Sequence, residues 1–465
     1  MQPLPKPKMQ PFNRTITALS TPPGKGGVAL IRLSGEDAIE IAERVFRAKN
    51  GKAVSALPSR YATYGDVYFE GEPIDDVLLT VFRAPSSYTG EDTVEIASHG
   101  GMLITEAILT ALYAEGAVPA SPGEFTRRAY TAGKLSLSEA EAIGELLDAK
   151  SMAQVKLFGR DSRMKLSGAL SDLYENVREL LSSLCARLDY PDEDLGEIST
   201  DEILARVTEA KQKSLSLLAT YKTGKAVTEG IPTVLLGKPN TGKSSLYNLL
   251  VGKDAAIVTS LAGTTRDILE TTVPLGRVLL RLYDTAGLRN ATDEIEQIGV
   301  DRARRAMQEA DLILAVFDTS APLTEEDHAL LRELATLGAT KIAILNKSDL
   351  TAVSAVPAEG FAASVTLSAK HGTTEVLSAE IDRLFTDGDI VIGEAAIVSS
   401  ARQYAALTRA HECLMQAKNA LTMGHPADMY LFDLCEGLSA LGEVDGRTVG
   451  EEIVSEIFSH FCVGK

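Results

Sequence analysis

A chain of 465 residues allows about three domains. With 45% hydrophobic residues and no apolar run near the roughly 18 residues that span a bilayer, it reads as a soluble, cytoplasmic protein without stable membrane insertion. A formal net charge of −18 excludes a protein that grips RNA over a broad basic surface, so any RNA contact is either local or supplied largely by a partner.

The first dozen residues, MQPLPKPKMQPF, carry no apolar stretch and read as a flexible leader rather than a signal peptide. Residues 16–133 show a mixed α/β pattern, which sets a first domain at 1–133. ITALST and VALIRLSG read as strands around the loop TPPGKGG, and AIEIAERVF reads as a helix. YATYGDVYF and VLLTVFRA follow as strands, then TEAILTALYAEG as an amphipathic helix closed by Gly116. Glycine and proline clusters at 22–27 and 122–123 read as tight turns, a geometry that also suits backbone approaching a ligand. Residues 134–228 read as helical. Leu173, Val177, Leu180, Leu181, Leu184 and Leu188 form one apolar stripe, PDEDLGE interrupts it, and a second helix covers 200–219.

The next domain, 229–389, opens on IPTVLLGKPNTGKSS. A β-prone run leads into G-x-x-x-x-G-K-S at Gly237, Gly242, Lys243 and Ser244, and the apolar-periodic LYNLLVG follows: strand, phosphate loop, helix. Glycines let backbone N–H groups turn toward phosphate oxygens, and the helix N-terminus adds partial positive charge. Lys243 supplies a point cation and Ser244 a hydroxyl for Mg²⁺. The phosphate-loop contacts are Asn240, Thr241, Gly242, Lys243, Ser244 and Ser245. LAGTTRD and the residues before it add Thr259, Ser260, Leu261, Ala262, Gly263, Thr264 and Thr265. Asp284, Thr285, Ala286 and Gly287 follow the strand pattern VLLRLY; Asn346, Lys347, Ser348 and Asp349 follow KIAIL; Ser368, Ala369 and Lys370 follow VTL. In a doubly wound parallel sheet such strand ends converge on one crevice. Thr265 is expected to join Ser244 on Mg²⁺ and to sense the γ-phosphate, with Asp284 behind these ligands. Asn346 and Asp349 read the base. Asp349 accepts from the N1–H and exocyclic amine of guanine, donors that adenine lacks, and a buried carboxylate there discriminates by roughly four to five powers of ten. The nucleotide is therefore expected to be GTP.

Two departures from small regulatory GTPases bear on hydrolysis. Leu288 stands where those proteins carry a water-orienting glutamine close by, and Glu296 is the nearest substitute; it also reads as a solvated acid at a helix start. No arginine adjoins the phosphate loop. A K⁺ ion held by Asn240, by the backbone carbonyls of Thr259 and Leu261, and by Thr264 would carry the same charge, although Asn240 alone also reads as a loop cap. Switch loops meeting across a two-fold axis would shelter that ion.

Helical patterning resumes over 390–465. Because the ends of a compact domain usually lie close together, the two helical segments read as one discontinuous domain with the GTPase inserted in it. In the tail EEIVSEIFSHFCVGK, Val449, Ile453, Val454, Ile457, Phe458 and Phe461 form an apolar face that should dock. Cys462 and Lys465 then sit at an anchored end, where the thiol is either placed in a site or inert. The other cysteines, Cys185, Cys413 and Cys435, show no metal-ligand spacing.

These motifs, together with TPPGKGGVALIRLSG at 21–35, SYTGEDTVEIASHGG at 87–101, SPGEFTRRAYTAGKLSLSEAEAI at 121–143 and the terminal FCVGK, resemble the MnmE (TrmE) family of tRNA-modifying GTPases over nearly the whole chain. The resemblance implies a mixed α/β folate-binding-like dimerisation domain, a discontinuous helical domain and an inserted Ras-like P-loop GTPase domain. It implies 5-formyltetrahydrofolate or a related tetrahydrofolate held by Arg32, Glu95, Lys134 and Lys465. The C-x-G-K tail has Val463 at its variable position, and its Cys462 is implicated in the modification. It further implies a homodimer and K⁺-activated hydrolysis of GTP through Lys243 and Glu296. A heterotetramer with an FAD-dependent MnmG (GidA)-like partner would place a carboxymethylaminomethyl group on C5 of wobble uridine in certain tRNAs. Two rival readings are a ribosome-assembly or signalling GTPase that modifies nothing, and a folate-dependent one-carbon transferase with a merely regulatory GTPase.

Overall fold

The computed structural model describes residues 14–190, 198–252, 270–283, 307–353, 355–388 and 390–464. The chain forms two compact units. One comprises Met1–Leu147, Ser167–Ala210 and Arg409–Lys465, the other Asp148–Leu166 and Lys211–Thr408, so neither is a single stretch of sequence. None of the described helices is long and apolar enough to cross a membrane.

The first unit is built on seven strands: β1 (Ile16–Leu19), β2 (Gly26–Ser34), β3 (Phe46–Ala48), β4 (Ala62–Phe69), β5 (Glu72–Phe82), β6 (Thr93–Gly100) and β7 (Val118–Pro119). Their order is β3-β4-β5-β6-β2-β1-β7, antiparallel throughout except for β1 beside β7. Side chains alternate between faces along a strand, so Ile31 and Leu33 of β2, Val77, Leu79 and Val81 of β5, and Val94 and Ile96 of β6 share one face. They pack there with Ile41, Ala42 and Val45 of the helix Ala38–Val45 and Ile108 and Leu112 of the helix Met102–Ala114. The same alternation puts Arg32 and Glu95, register partners across β2 and β6, on the opposite face. β3, β6 and β7 lie outside the strands expected from the sequence. β5 begins at Glu72, ahead of the expected apolar run, because it pairs with β4 across a tight turn, and that ladder carries Glu72, Asp75 and Asp76 regardless of polarity.

The tail helix Glu451–Ser459 docks as its apolar periodicity requires. Val454 and Phe458, with Val449 and Phe461 on either side, are buried against Leu137 and Ala140 of the helix Leu137–Leu147. Ile453, expected on the same face, is exposed, being about 100° around the helix from Val454. Phe458 is 2% exposed and also packs beside Phe461 at 5.4 Å. Phe458→Ala should cost about 3–5 kcal/mol, to be read as a lowered midpoint in chemical denaturation; an unchanged midpoint would mean the tail does not stabilise the unit.

The second unit carries β8 (Ile231–Leu236), β9 (Glu270–Leu275), β10 (Val278–Tyr283), β11 (Leu312–Asp318), β12 (Thr340–Asn346) and β13 (Ala363–Thr366), ordered β13-β12-β11-β8-β10-β9. All pairs are parallel except β9 with β10. Such a sheet must be covered on both faces, and the unbroken burial of Leu312 to Phe317 in β11 reflects that. Leu246 and Leu250 of the helix Lys243–Val251 and Leu377, Ile381 and Phe385 of the helix Glu375–Phe385 pack in one core layer. Leu334 of the helix Glu325–Thr336 packs in a second, with Val234, Ala315, Phe317 and Ala343. This is the doubly wound α/β fold expected from the sequence.

Candidate nucleotide site and tail-side cleft

The carboxyl ends of β8, β11, β12 and β13 carry the chemistry of the second unit. After β8 the chain turns at Gly237, passes Asn240 at φ +62° and reaches Gly242 at φ +98° before entering the helix Lys243–Val251. Gly242 is the N-cap and has no side chain to occupy the first N–H groups of that helix, which leaves an anion-binding end. The Lys243 ammonium lies back over the loop, donating to the carbonyls of Gly237 and Lys238, both at 2.7 Å. Ser244 and Ser245, in the first helical turn, are exposed.

Asn346, 2% exposed at the end of β12, ties the strand ends together. Its Nδ2 donates to the Thr241 carbonyl at 2.7 Å, and its Oδ1 accepts from the Ala369 backbone N–H at 2.8 Å. One amide thereby joins the phosphate loop to the Ser368-Ala369-Lys370 turn. Next to it Lys347, at φ +66°, places its ammonium 2.5 Å from Asp318 at the end of β11. Burial pushes the Asp318 carboxyl up, but hydrogen bonds from Lys347 and Ser320 outweigh it and hold the group below its usual range. The sequence reading missed Asp318; a carboxylate closing the apolar run LILAVF was the available signal.

Asp349 is exposed rather than buried. A hydrogen bond from Ser368 holds its carboxyl below the usual range, with the nearby positive charge of His371 and Lys370 adding to the effect. Ser368 and Ala369 are buried while Lys370 and Ser348 are exposed. Of the other expected nucleotide contacts, Thr259, Ser260, Leu261, Ala262, Gly263, Thr264, Thr265, Asp284, Thr285, Ala286, Gly287 and Glu296 lie outside the described residues.

In the first unit, Arg32 and Glu95 form an ion pair: the guanidinium reaches one Glu95 carboxylate oxygen through Nε at 2.9 Å and through a terminal nitrogen at 2.8 Å. The Arg32 guanidinium also lies 5.8 Å from the Tyr88 ring centre and 5.6 Å from that of Phe125. The C-terminal tail arrives at the same place. Its Gly464 carbonyl accepts from Ser20 Oγ at 3.1 Å and from Arg32 at 3.5 Å, and the Cys462 carbonyl accepts from the Gly123 N–H at 3.4 Å. Gly464, at φ +96°, is wedged so tightly that a Cβ there would stand 2.4 Å from the Leu19 carbonyl oxygen. Lys134 is exposed and donates to the Pro85 carbonyl at 2.7 Å. Arg32, Glu95 and the tail are thus assembled, whereas the side-chain contact seen for Lys134 is with Pro85; the Cys462 side chain is exposed. Lys465 lies outside the described residues.

A phosphate loop and bare helix N-terminus after β8 and an N-K-S-D turn after β12, at the same carboxyl edge of a parallel sheet with β11 between them, define a P-loop protein of the guanine-nucleotide-binding class. Family models agree on the rest of the chain: "GTP-binding protein TrmE N-terminus" matches residues 15–134 and "MnmE helical domain" matches residues 137–462. A protein from Listeria innocua named tRNA modification GTPase MnmE is 41% identical over 458 residues, covering 97% of this chain and 99% of that protein. Proteins of the same name from Lactococcus lactis and Geobacillus thermodenitrificans are each 38% identical, over 97% of this chain and 98% and 99% of theirs. The chain belongs to the MnmE (TrmE) family of tRNA modification GTPases.

Proposed function

We propose that this chain is a K⁺-activated GTPase that acts with an FAD-dependent MnmG-like partner to add a carboxymethylaminomethyl group at C5 of wobble uridine in certain tRNAs. As a family member it is a GTP hydrolase of tRNA modification; the alkali-ion dependence, the partner and the chemistry are the proposal. The observation that supports the GTP site in this proposal most is the Asn346 amide, which binds the phosphate loop to the base-side turn and so makes one site of two motifs more than a hundred residues apart in sequence.

Lys243 and the N–H groups of its helix bind phosphates, Ser244 and Thr265 hold Mg²⁺, and Asn346 and Asp349 take the guanine base. The fit is supported by the helix end at Gly242 and by the exposed Ser244 in its first turn. Asn240, exposed at the loop crest, is the described member of the K⁺ set that Thr259, Leu261 and Thr264 complete. When bound, these cations offset the negative charge that develops on the phosphates during hydrolysis. Glu296 orients the attacking water.

In the other unit, Arg32, Glu95 and Lys134 with Lys465 hold a tetrahydrofolate. An acid suits the amino-pyrimidine edge of a pterin and cations suit the glutamyl carboxylates. The wedged Gly464 keeps the tail beside Arg32. The folate supplies a one-carbon unit, and Cys462 stands near it for the modification. We place the protein in the cytoplasm as a homodimer, in a heterotetramer with its flavoprotein partner.

At equal ionic strength, GTP hydrolysis should run several-fold or more faster in KCl than in NaCl. Glu296→Ala should keep GTP affinity and slow turnover by roughly 10²-fold or more. Equal rates in the two salts would remove the alkali ion from the mechanism, and a normally active Glu296→Ala would remove the carboxylate. Nucleoside mass spectrometry of tRNA from cells lacking the chain should show the wobble modification restored by the unaltered protein but not by Lys243→Ala, Cys462→Ser or Glu95→Gln. Intact modification in the deletion strain would instead favour a GTPase switch that modifies nothing.

A further inference from the structure

We infer that Lys238 is a positioning residue for the phosphate loop and acts through Asp327, an inference that rests on reading that loop as the site of the nucleotide's phosphates. Lys238 directly follows Gly237, and its carbonyl accepts from both the Lys243 ammonium (2.7 Å) and Thr241 Oγ1 (3.0 Å). Where the Lys238 backbone sits therefore governs where the phosphate-binding cation sits.

A lysine inside a phosphate loop would be drawn to the phosphates, yet this side chain turns away from the loop. Its Nζ reaches Asp327 Oδ2 at 2.6 Å and Thr324 Oγ1 at 3.2 Å, on the opening turn of the helix Glu325–Thr336. The Asp327 side chain is 2% exposed, and it also closes the capping box of that helix, accepting from the Thr324 N–H at 2.8 Å and from Thr324 Oγ1 at 2.9 Å. The helix is in turn anchored through Leu334 in a sheet-covering core layer with Ala315, Phe317 and Ala343. The loop is thus fastened at Lys238 to a sheet-covering layer by a charge-assisted bond whose carboxylate end is buried, and Lys243 keeps the phosphate role to itself. Charged partners held this way are costly to separate, because removing one leaves the other buried and unpaired.

Losing the tether loosens the bound substrate and the transition state alike, so it should raise the KM for GTP with little change in kcat. Lys238→Met is expected to raise the KM about tenfold with kcat within about twofold, and Lys238→Arg, which keeps the charge and reach, to restore the KM to within about twofold of the unaltered protein. Because Lys238→Met strands a buried carboxylate and can destabilise the fold, Lys238→Met combined with Asp327→Asn is the decisive variant. It should recover thermal stability while the KM stays raised. A KM near that of the unaltered protein in folded Lys238→Met, a failure of Lys238→Arg to rescue, or recovery of both stability and KM in the double variant would overturn the positioning role. GDP affinity of the unaltered protein, measured alongside, reports separately on whether the loop binds nucleotide at all.

Discussion

Replacing Asp349 by Asn should lower the affinity for GTP by roughly two to four powers of ten and shift preference toward the xanthine nucleotide. An ionised carboxylate accepts two hydrogen bonds from guanine, each of the charge-assisted kind, and losing one, weakening the other to a neutral bond and setting two donors against each other account for a change of that size. The Asn amide keeps one acceptor but presents N–H₂ where the base has its own exocyclic amine, so two donors face each other. Xanthine carries a carbonyl at that carbon and accepts the new donor. The effect is set below the four to five powers of ten that a buried acid would provide, because Asp349 is exposed. Ser368 matters to the same recognition. Its hydrogen bond lowers the Asp349 carboxyl from its ordinary value, so the anion that guanine needs persists to lower pH than it would without that bond and is lost as pH falls through the lowered value. Titrating GTP and XTP against Asp349→Asn checks the reading; unchanged selectivity would show that the base is read elsewhere.

Gly242→Ala should reduce GTP binding and hydrolysis by at least about a hundredfold. Two independent costs meet at this residue. Its φ of +98° is a conformation that side-chain-bearing residues adopt only with strain, on the order of 1–3 kcal/mol. An added Cβ would also stand 2.1 Å from Asn346 Nδ2, far inside contact distance. Backbone and amide must then separate, which breaks the bond from Asn346 to the Thr241 carbonyl and leaves buried polar groups unpaired, at about 1–3 kcal/mol more. The damage should spread from phosphate binding to base recognition, since Asn346 serves both. A variant that binds GDP with near-normal affinity, measured by calorimetry, would show that Asn346 is not the link between the two motifs.

Much of this site was legible in the residues because its signals are local. A β-prone run, a glycine-bounded loop and a helix pattern within fifteen residues announce a phosphate loop, and N-K-S-D after an apolar strand announces its partner. Both elements form where those patterns place them, and the tail helix docks where its apolar periodicity says it should. Such patterns follow from backbone geometry and the period of a helix or strand, which neighbouring residues share. Pairings between distant residues carry no such period. Nothing near Asn346 tells that its amide would reach Thr241 and Ala369, nothing near Lys238 that its ammonium would leave the phosphates for Asp327, and nothing near Gly464 that it would lie against Leu19. Those contacts, and the exposure of Asp349, were decided when the sheets brought strand ends together. The types of residue and their order thus determined which nucleotide and which loop, while the tertiary structure alone decided what holds the loop in place, because that depends on distances across the fold and not along the chain.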